Sequence, residues 1–285
     1  MKIDTYQIIT DRIIEQLEKG TIPWKKSWVG SGNCPKNFIS KKPYNGINVF
    51  LLACVSHTSN YFLTYNQAKK IGGQVKKGEK GYPVVFWKFL DKKNNKGKTD
   101  KIPLCRYYTV FNLDQCDGIK DPDVDNLNKI EFNPIEQAEK IVAGYIGKPE
   151  IKHNEQRAYY APKLDYVNMP LPESFTSEQE YYSVLFHELT HSTGHENRLN
   201  REGITESHFF GDALYSKEEL IAELGSAFLC SESGINSESV FQNSSAYING
   251  WLKKLKQDNK IIISSAGKAQ KAVDKILNRK KEIDE

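Results

Sequence analysis

The chain has 285 residues, 39% hydrophobic and 27% charged, which suits a globular protein long enough for two cores. Its longest apolar run, residues 46–55, is too short to span a bilayer, and the opening MKIDTYQIITDRIIEQLEKG mixes acids into its apolar pattern. The opening reads as an amphipathic helix rather than a signal peptide, no membrane span is expected, and a cytoplasmic location is expected. Net charge is only +4, but residues 1–116 hold 20 Lys/Arg against 8 Asp/Glu, a net +12. Residues 117–285 hold 20 against 28, a net −8. Opposite halves of this kind suggest a polyanion partner for the first half alone. Five cysteines (Cys34, Cys54, Cys105, Cys116 and Cys230), odd in number and with no C-x-x-C pair, indicate neither a disulfide framework nor a cysteine zinc site.

In chain order, the first expected element is a helix over Thr5–Lys19, apolar at Ile8, Ile9, Ile13 and Leu17 and ended by Gly20. A loop with two tryptophans, TIPWKKSWVGSG, follows. A second helix covers Ile47–Val55, and a third begins at Thr64, with Gln67 completing a capping box, and stops at Gly72-Gly73. The period then becomes strand-like in GYPVVFWKFL and PLCRYYTVFNL, with DKKNNKGKTDK between them as a hairpin loop. Residues 117–132 carry turn formers and acids and read as a linker. Pro134 opens a helix through Tyr145. EIKHNE and RAYYAP read as paired strands, followed by DYVNMP; further helices are expected over 177–192, 217–230, 245–257 and 266–281. The fold class is thus α+β in two domains, a small basic one over 1–125 and a second over 130–285.

The helix over 177–192 contains His-Glu-Leu-Thr-His. His187 and His191, four residues apart, project from one helix face and can close on one Zn²⁺. Glu188 is placed as general base toward a water that such an ion activates. The third ligand should be a carboxylate from another element. Glu219 and Glu223 share a helix face; Glu219, the first acid of an E-x-x-x-E pair, is the expected ligand, with Glu223 supporting a histidine or serving as the alternative ligand. Ser216 with Glu219 also reads as a capping box, which would turn that Glu away. His195 is a further alternative ligand; Gly194 fits the metzincin pattern, but the ligand position three residues on is Asn197, so the chain is not a metzincin and His195 is expected to line the cleft or to cap the helix end.

The basic half mixes lysines with aromatics. Lysines attract phosphates through counterion release and exposed rings stack on unpaired bases, so a single strand is favoured over duplex readout. The expected DNA-contacting residues are Trp24, Lys25, Lys26, Trp28, Tyr44, Lys69, Lys70, Lys76, Lys77, Lys80, Trp87 and Lys88. GGQVKKGEKG lacks a G-K-[ST] ending and is assigned no nucleotide.

Several long motifs then carry a family resemblance. IPWKKSW, NFISKKPYNGIN (37–48), LTYNQAKKIGGQVKKGEKG and YTVFN (108–112) resemble the N-terminal domain of ArdC-type antirestriction proteins of plasmids and other mobile elements. DYVNMP, YYSVLFHELTHSTGHENRL and EELIAELGSAFL are similar to the zincin-like metallopeptidase domain of the same family. The resemblance implies single-stranded DNA binding, protection of incoming DNA from restriction, and a zincin fold in the second domain. A zinc metalloprotease directed by DNA at a host protein, such as a restriction component, is the alternative function.

Overall fold

The computed structural model describes residues 4–25, 34–55, 57–93, 99–122, 133–205, 213–236 and 245–279. The side chains of residues 25, 88–93, 99–103, 134, 213–215 and 245 are likewise outside the description.

Helix α1 (Thr5–Glu18) starts at Asp4, whose carboxylate accepts from the backbone N–H groups of Tyr6 and Gln7. Ile9, Ile13 and Leu17, one turn apart, form its buried stripe. Thr10 joins that inner side and donates to the carbonyl of Asn259, so α1 is tied to the far end of the chain. Helix α2 (Ile47–Ala53) is nearly all buried. Helix α3 (Tyr65–Lys70) carries the expected Thr64–Gln67 capping box.

The basic half is built on a four-stranded sheet of order β1-β2-β5-β4, comprising β1 (Lys36–Asn37), β2 (Tyr61–Leu63), β4 (Tyr82–Lys93) and β5 (Thr99–Asn112). A separate two-stranded pair joins β3 (Gln74–Val75) to β6 (Cys116–Asp117). Strands β4 and β5 form a long antiparallel ribbon from Tyr82↔Val110 to Lys93↔Thr99. Most of the segment read as a lysine-rich loop is therefore strand; residues 94–98 lie outside the described residues. The register sets Asp91 opposite Lys101 and Lys92 opposite Asp100.

The second half opens with α4 (Pro134–Gly144), capped by Asn133. Most of the expected linker, residues 123–132, lies outside the described residues. A three-stranded sheet of order β7-β9-β8 follows: β7 (Glu150–Lys152), β8 (Tyr159–Ala161) and β9 (Tyr166–Asn168). This corrects the expected β7–β8 pairing. The DYVNMP strand takes the centre, parallel to β7 and antiparallel to β8.

Helices α5 (Glu178–Ser192), α6 (Glu202–Thr205), α7 (Ala213–Ser233), α8 (Ser245–Gln257) and α9 (Ile261–Ile276) complete the chain. Helix α9 begins and ends earlier than expected. Ile261, Ile262 and Ile263 enter the core together, and Asn278 leaves the helix with φ 52°. Among the described residues no helix is long and apolar enough to cross a membrane.

The main hydrophobic core draws on both sequence halves. It runs from Ile9, Ile13 and Phe50 to Phe228, Ile262 and Val273, and the rings of Phe50 and Phe228 meet at 4.7 Å between centroids. A smaller cluster of Tyr61, Leu63, Ala68, Leu113 and Cys116 sits under the basic sheet.

Candidate metal centre and nucleic-acid face

The metal centre is made by the crossing of α5 and α7. Gly225 permits that crossing: a Cβ there would fall 2.4 Å from Thr190 Cγ2 and 2.6 Å from its Oγ1. The close approach sets the acids of α7 against the histidines of α5. His187 Nε2 and His191 Nε2 converge to 3.1 Å. Glu219 spans them, one oxygen 3.7 Å from His187 Nε2 and the other 3.5 Å from His191 Nε2. All three donor atoms lie within 4.8 Å of one another. Two imidazole nitrogens and a carboxylate around one point fit a divalent ion.

Helix α7 begins at Ala213, so Ser216 lies inside it rather than at its cap. The competing capping box does not form there, and Glu219 faces the histidines. Glu223 is outside the three-residue cluster. Its carboxylate acts on His187 as a nearby charge and accepts from the Tyr247 hydroxyl.

The carboxylate that supports a histidine is instead Glu218, a role that sequence reasoning missed. Its Oε1 lies 3.3 Å from His191 Nδ1, and it is only 3% exposed. Arg201 holds it by two bonds, Nε to Oε2 at 3.0 Å and an NH2 nitrogen to Oε1 at 2.6 Å. Burial works to raise the Glu218 carboxyl, but hydrogen bonds from His191 and Arg201 and their charges outweigh it and hold it at about 2. The only signal in the sequence was adjacency to Glu219. Glu188 is buried on α5 beside the first histidine. His195 turns to its own loop, its Nδ1 accepting from the Asn197 N–H, and it stands outside the cluster.

His187 carries a raised pKa of about 9. Burial opposes this, but the close Glu219 carboxylate and the charges of Glu188 and Glu223 prevail. In the metal-free protein this raised value stabilises the fold fully below pH 6.5, and the contribution is lost as pH rises through 9. The same proton must leave before an ion binds. Between pH 7 and 9 the apparent Zn²⁺ affinity should therefore rise about tenfold per pH unit, with roughly one proton released per ion. Calorimetric titration in buffers of different ionisation enthalpy measures both; a flat profile would refute the charged imidazole.

The expected DNA residues separate into three groups. Trp24 is 1% exposed, its ring edge-on to Trp251 at 6.1 Å, and its indole N–H donates to the Tyr247 hydroxyl. Tyr44 is also buried, against Phe62. Neither can stack on a base, because both faces are spent on the core; these two assignments are corrected. Lys69, Lys70, Lys76, Lys77 and Lys80 are exposed, with Lys76 Nζ donating to the Asp114 carbonyl at 2.8 Å. Lys26 and Trp28 lie outside the described residues, as do the side chains of Lys25 and Lys88.

Trp87 is 47% exposed on the ribbon, edge-on to Tyr6. On the opposite face of the ribbon stands Phe86, one of the aromatics interleaved with the lysines; sequence reasoning missed its neighbours Arg106 and Tyr108. Phe86 pairs across the ribbon with Arg106, and Tyr108 lies two residues along the same side. Phe86 and Tyr108 are about half exposed and touch at 5.3 Å between centroids; Arg106 is exposed beside them.

Comparison with known proteins agrees with this layout. Residues 3–111 match the N-terminal domain of anti-restriction factor ArdC, and residues 136–268 match a zincin-like metallopeptidase. The chain is 35% identical over 286 residues to the uncharacterized protein y4eC of Sinorhizobium fredii, covering 95% of this chain and 91% of that one. Two proteins of Escherichia coli described as DNA primase TraC are each 34% identical over 95% of this chain. This chain spans only 27% and 20% of their lengths. Among solved structures, the antirestriction protein ArdC of plasmid R388 is 37% identical, with a TM-score of 0.74 metal-free and 0.75 with Mn(II) bound. Those alignments cover 96% and 97% of this chain and 97% and 98% of the other. A zincin-like domain implies a divalent metal.

Proposed function

The chain belongs to the ArdC antirestriction family, and on that premise we propose that it binds single-stranded DNA on the β4–β5 ribbon and protects incoming DNA of a mobile element from restriction. The observation that carries this reading is the exposed set Phe86, Arg106 and Tyr108 on one side of the ribbon, within a chain half of net +12. Two half-exposed rings beside a guanidinium suit unpaired bases and their phosphates, whereas base pairs would hide the faces that these rings need. Domains over 1–125 and 130–285 are the corresponding division of labour.

The test separates stacking from charge. Phe86→Ala and Tyr108→Ala should each weaken single-strand binding by about 1–3 kcal/mol and leave the salt dependence unchanged. Replacing Lys76 and Lys77 by glutamine should instead flatten the slope of log K against log salt by about 0.7 for each phosphate no longer neutralised. Unaltered affinity in the double aromatic variant, with its melting temperature preserved, would remove the ribbon from the interface.

His187, His191 and Glu219 would hold the divalent ion, and zinc suits two imidazoles with one carboxylate. Bound there, the ion supplies Lewis acidity. Glu188 is positioned to hold a proton taken from water and pass it to a leaving amine. This supports the second reading, a DNA-directed metallopeptidase acting on a host protein. A plasmid-transfer protection assay comparing wild type with Glu188→Ala decides. Full protection by the variant assigns the function to DNA binding; lost protection with intact DNA binding assigns it to hydrolysis.

A further inference from the structure

We propose that Glu218, clamped by Arg201, is the positioning residue that fixes the ring of His191 for metal binding. A histidine ligand has two nitrogens, and only the one without a proton can coordinate. Which nitrogen is free depends on the hydrogen bond made by the other. Here Glu218 Oε1 stands 3.3 Å from His191 Nδ1, while His191 Nε2 faces His187 and Glu219. A carboxylate can only accept, so it selects the Nδ1–H form of the neutral ring and leaves the Nε2 lone pair aimed at the cluster.

Glu218 would be a poor positioning device if it could turn. Arg201 prevents that with its two bonds to the carboxylate. The same guanidinium donates to Thr193 Oγ1 at 2.6 Å and to the carbonyl of Thr190 at 2.9 Å. Arg201 therefore binds the end of α5, which carries His191, to the start of α7, which carries Glu218 and Glu219. One helical turn of α7 supplies both the cluster carboxylate and the orienting one, on adjacent residues that diverge by about 100° around the helix.

The inference rests on the reading of His187, His191 and Glu219 as metal ligands, and the test keeps the two apart. Full-length wild type, Glu218→Gln and Arg201→Lys are titrated with Zn²⁺ and with Mn²⁺ at a temperature where each metal-free protein is folded. Glu218→Gln should bind either ion about 10–100-fold more weakly, and Arg201→Lys should shift affinity in the same direction by less. Long-range ¹⁵N–¹H spectra should show neutral His191 of the metal-free wild type as the Nδ1–H tautomer, and a mixture in Glu218→Gln. Lower thermal stability with wild-type affinity and unchanged tautomer would reduce Glu218 to a packing residue. Should neither variant fold, the wild-type tautomer decides, since an Nε2–H ring overturns the inference. No metal uptake by wild type, with His191 still Nδ1–H, would refute the metal reading and leave the orienting contact standing.

Discussion

Replacing both His187 and His191 by alanine is expected to yield a folded protein that retains no divalent ion. Both side chains direct Nε2 into the cluster, and neither imidazole is a large part of the apolar core. Taking a binding free energy on the order of 10 kcal/mol shared by three ligands, each is worth about 3 kcal/mol, or roughly 150-fold in affinity. Glu219→Ala should therefore cost roughly 150-fold, and the double-histidine variant should fall below detection. Glu223→Ala should keep the ion, because that carboxylate acts on His187 only as a neighbouring charge. Glu188→Ala should keep it as well. Elemental analysis after desalting reads the result: about one equivalent per chain in wild type, Glu188→Ala and Glu223→Ala. An equivalent retained by the double-histidine variant would place the ion elsewhere, and loss in Glu223→Ala with retention in Glu219→Ala would exchange their roles.

The helix carrying the two histidines was legible because period, cap and motif agree over a short span. Ser177 accepts from the Glu180 N–H, and His187 and His191 fall one turn apart. The Glu180 carboxylate accepts from the Thr176 N–H. Glu218 was not legible. Its partner Arg201 lies 17 residues away, and nothing local tells a buried acid from an exposed one on a helix rich in both. The sheet around DYVNMP failed for a similar reason. Three-residue strands carry little periodicity, and their order is set by packing against α5 rather than by adjacency in the chain. The aromatics of the basic half could not be sorted from the sequence. Composition marks a tryptophan as suited to stacking or to a core, and only tertiary contacts show that Trp24 is buried while Phe86 and Tyr108 are open.

Trp24→Ala should lower stability by about 3–5 kcal/mol, a melting shift on the order of 10 °C, without selectively weakening DNA binding. Trp24 sits in a 3₁₀ turn after α1 and reaches across to α8, where it meets Trp251 edge-on and donates to Tyr247. Its removal leaves a cavity where the two sequence halves meet and strands one side of a buried polar contact, and the two costs add. Phe228→Ala should fall in the same range, since Phe228 packs on Phe50 from the other side of that junction. These losses are large against a total of about 5–15 kcal/mol. The basic and acidic halves share one core, so a fragment ending near residue 125 would expose Ile9, Ile13 and Phe50 to water. Charge and packing thus divide the chain differently: phosphate attraction belongs to the first half, while stability belongs to the whole. A thermal melt alongside a single-strand titration checks this for the full-length variants. Weaker binding by Trp24→Ala at an unchanged melting temperature would return that residue to the DNA interface, and an unchanged melt in Phe228→Ala would show that the halves do not depend on their common core.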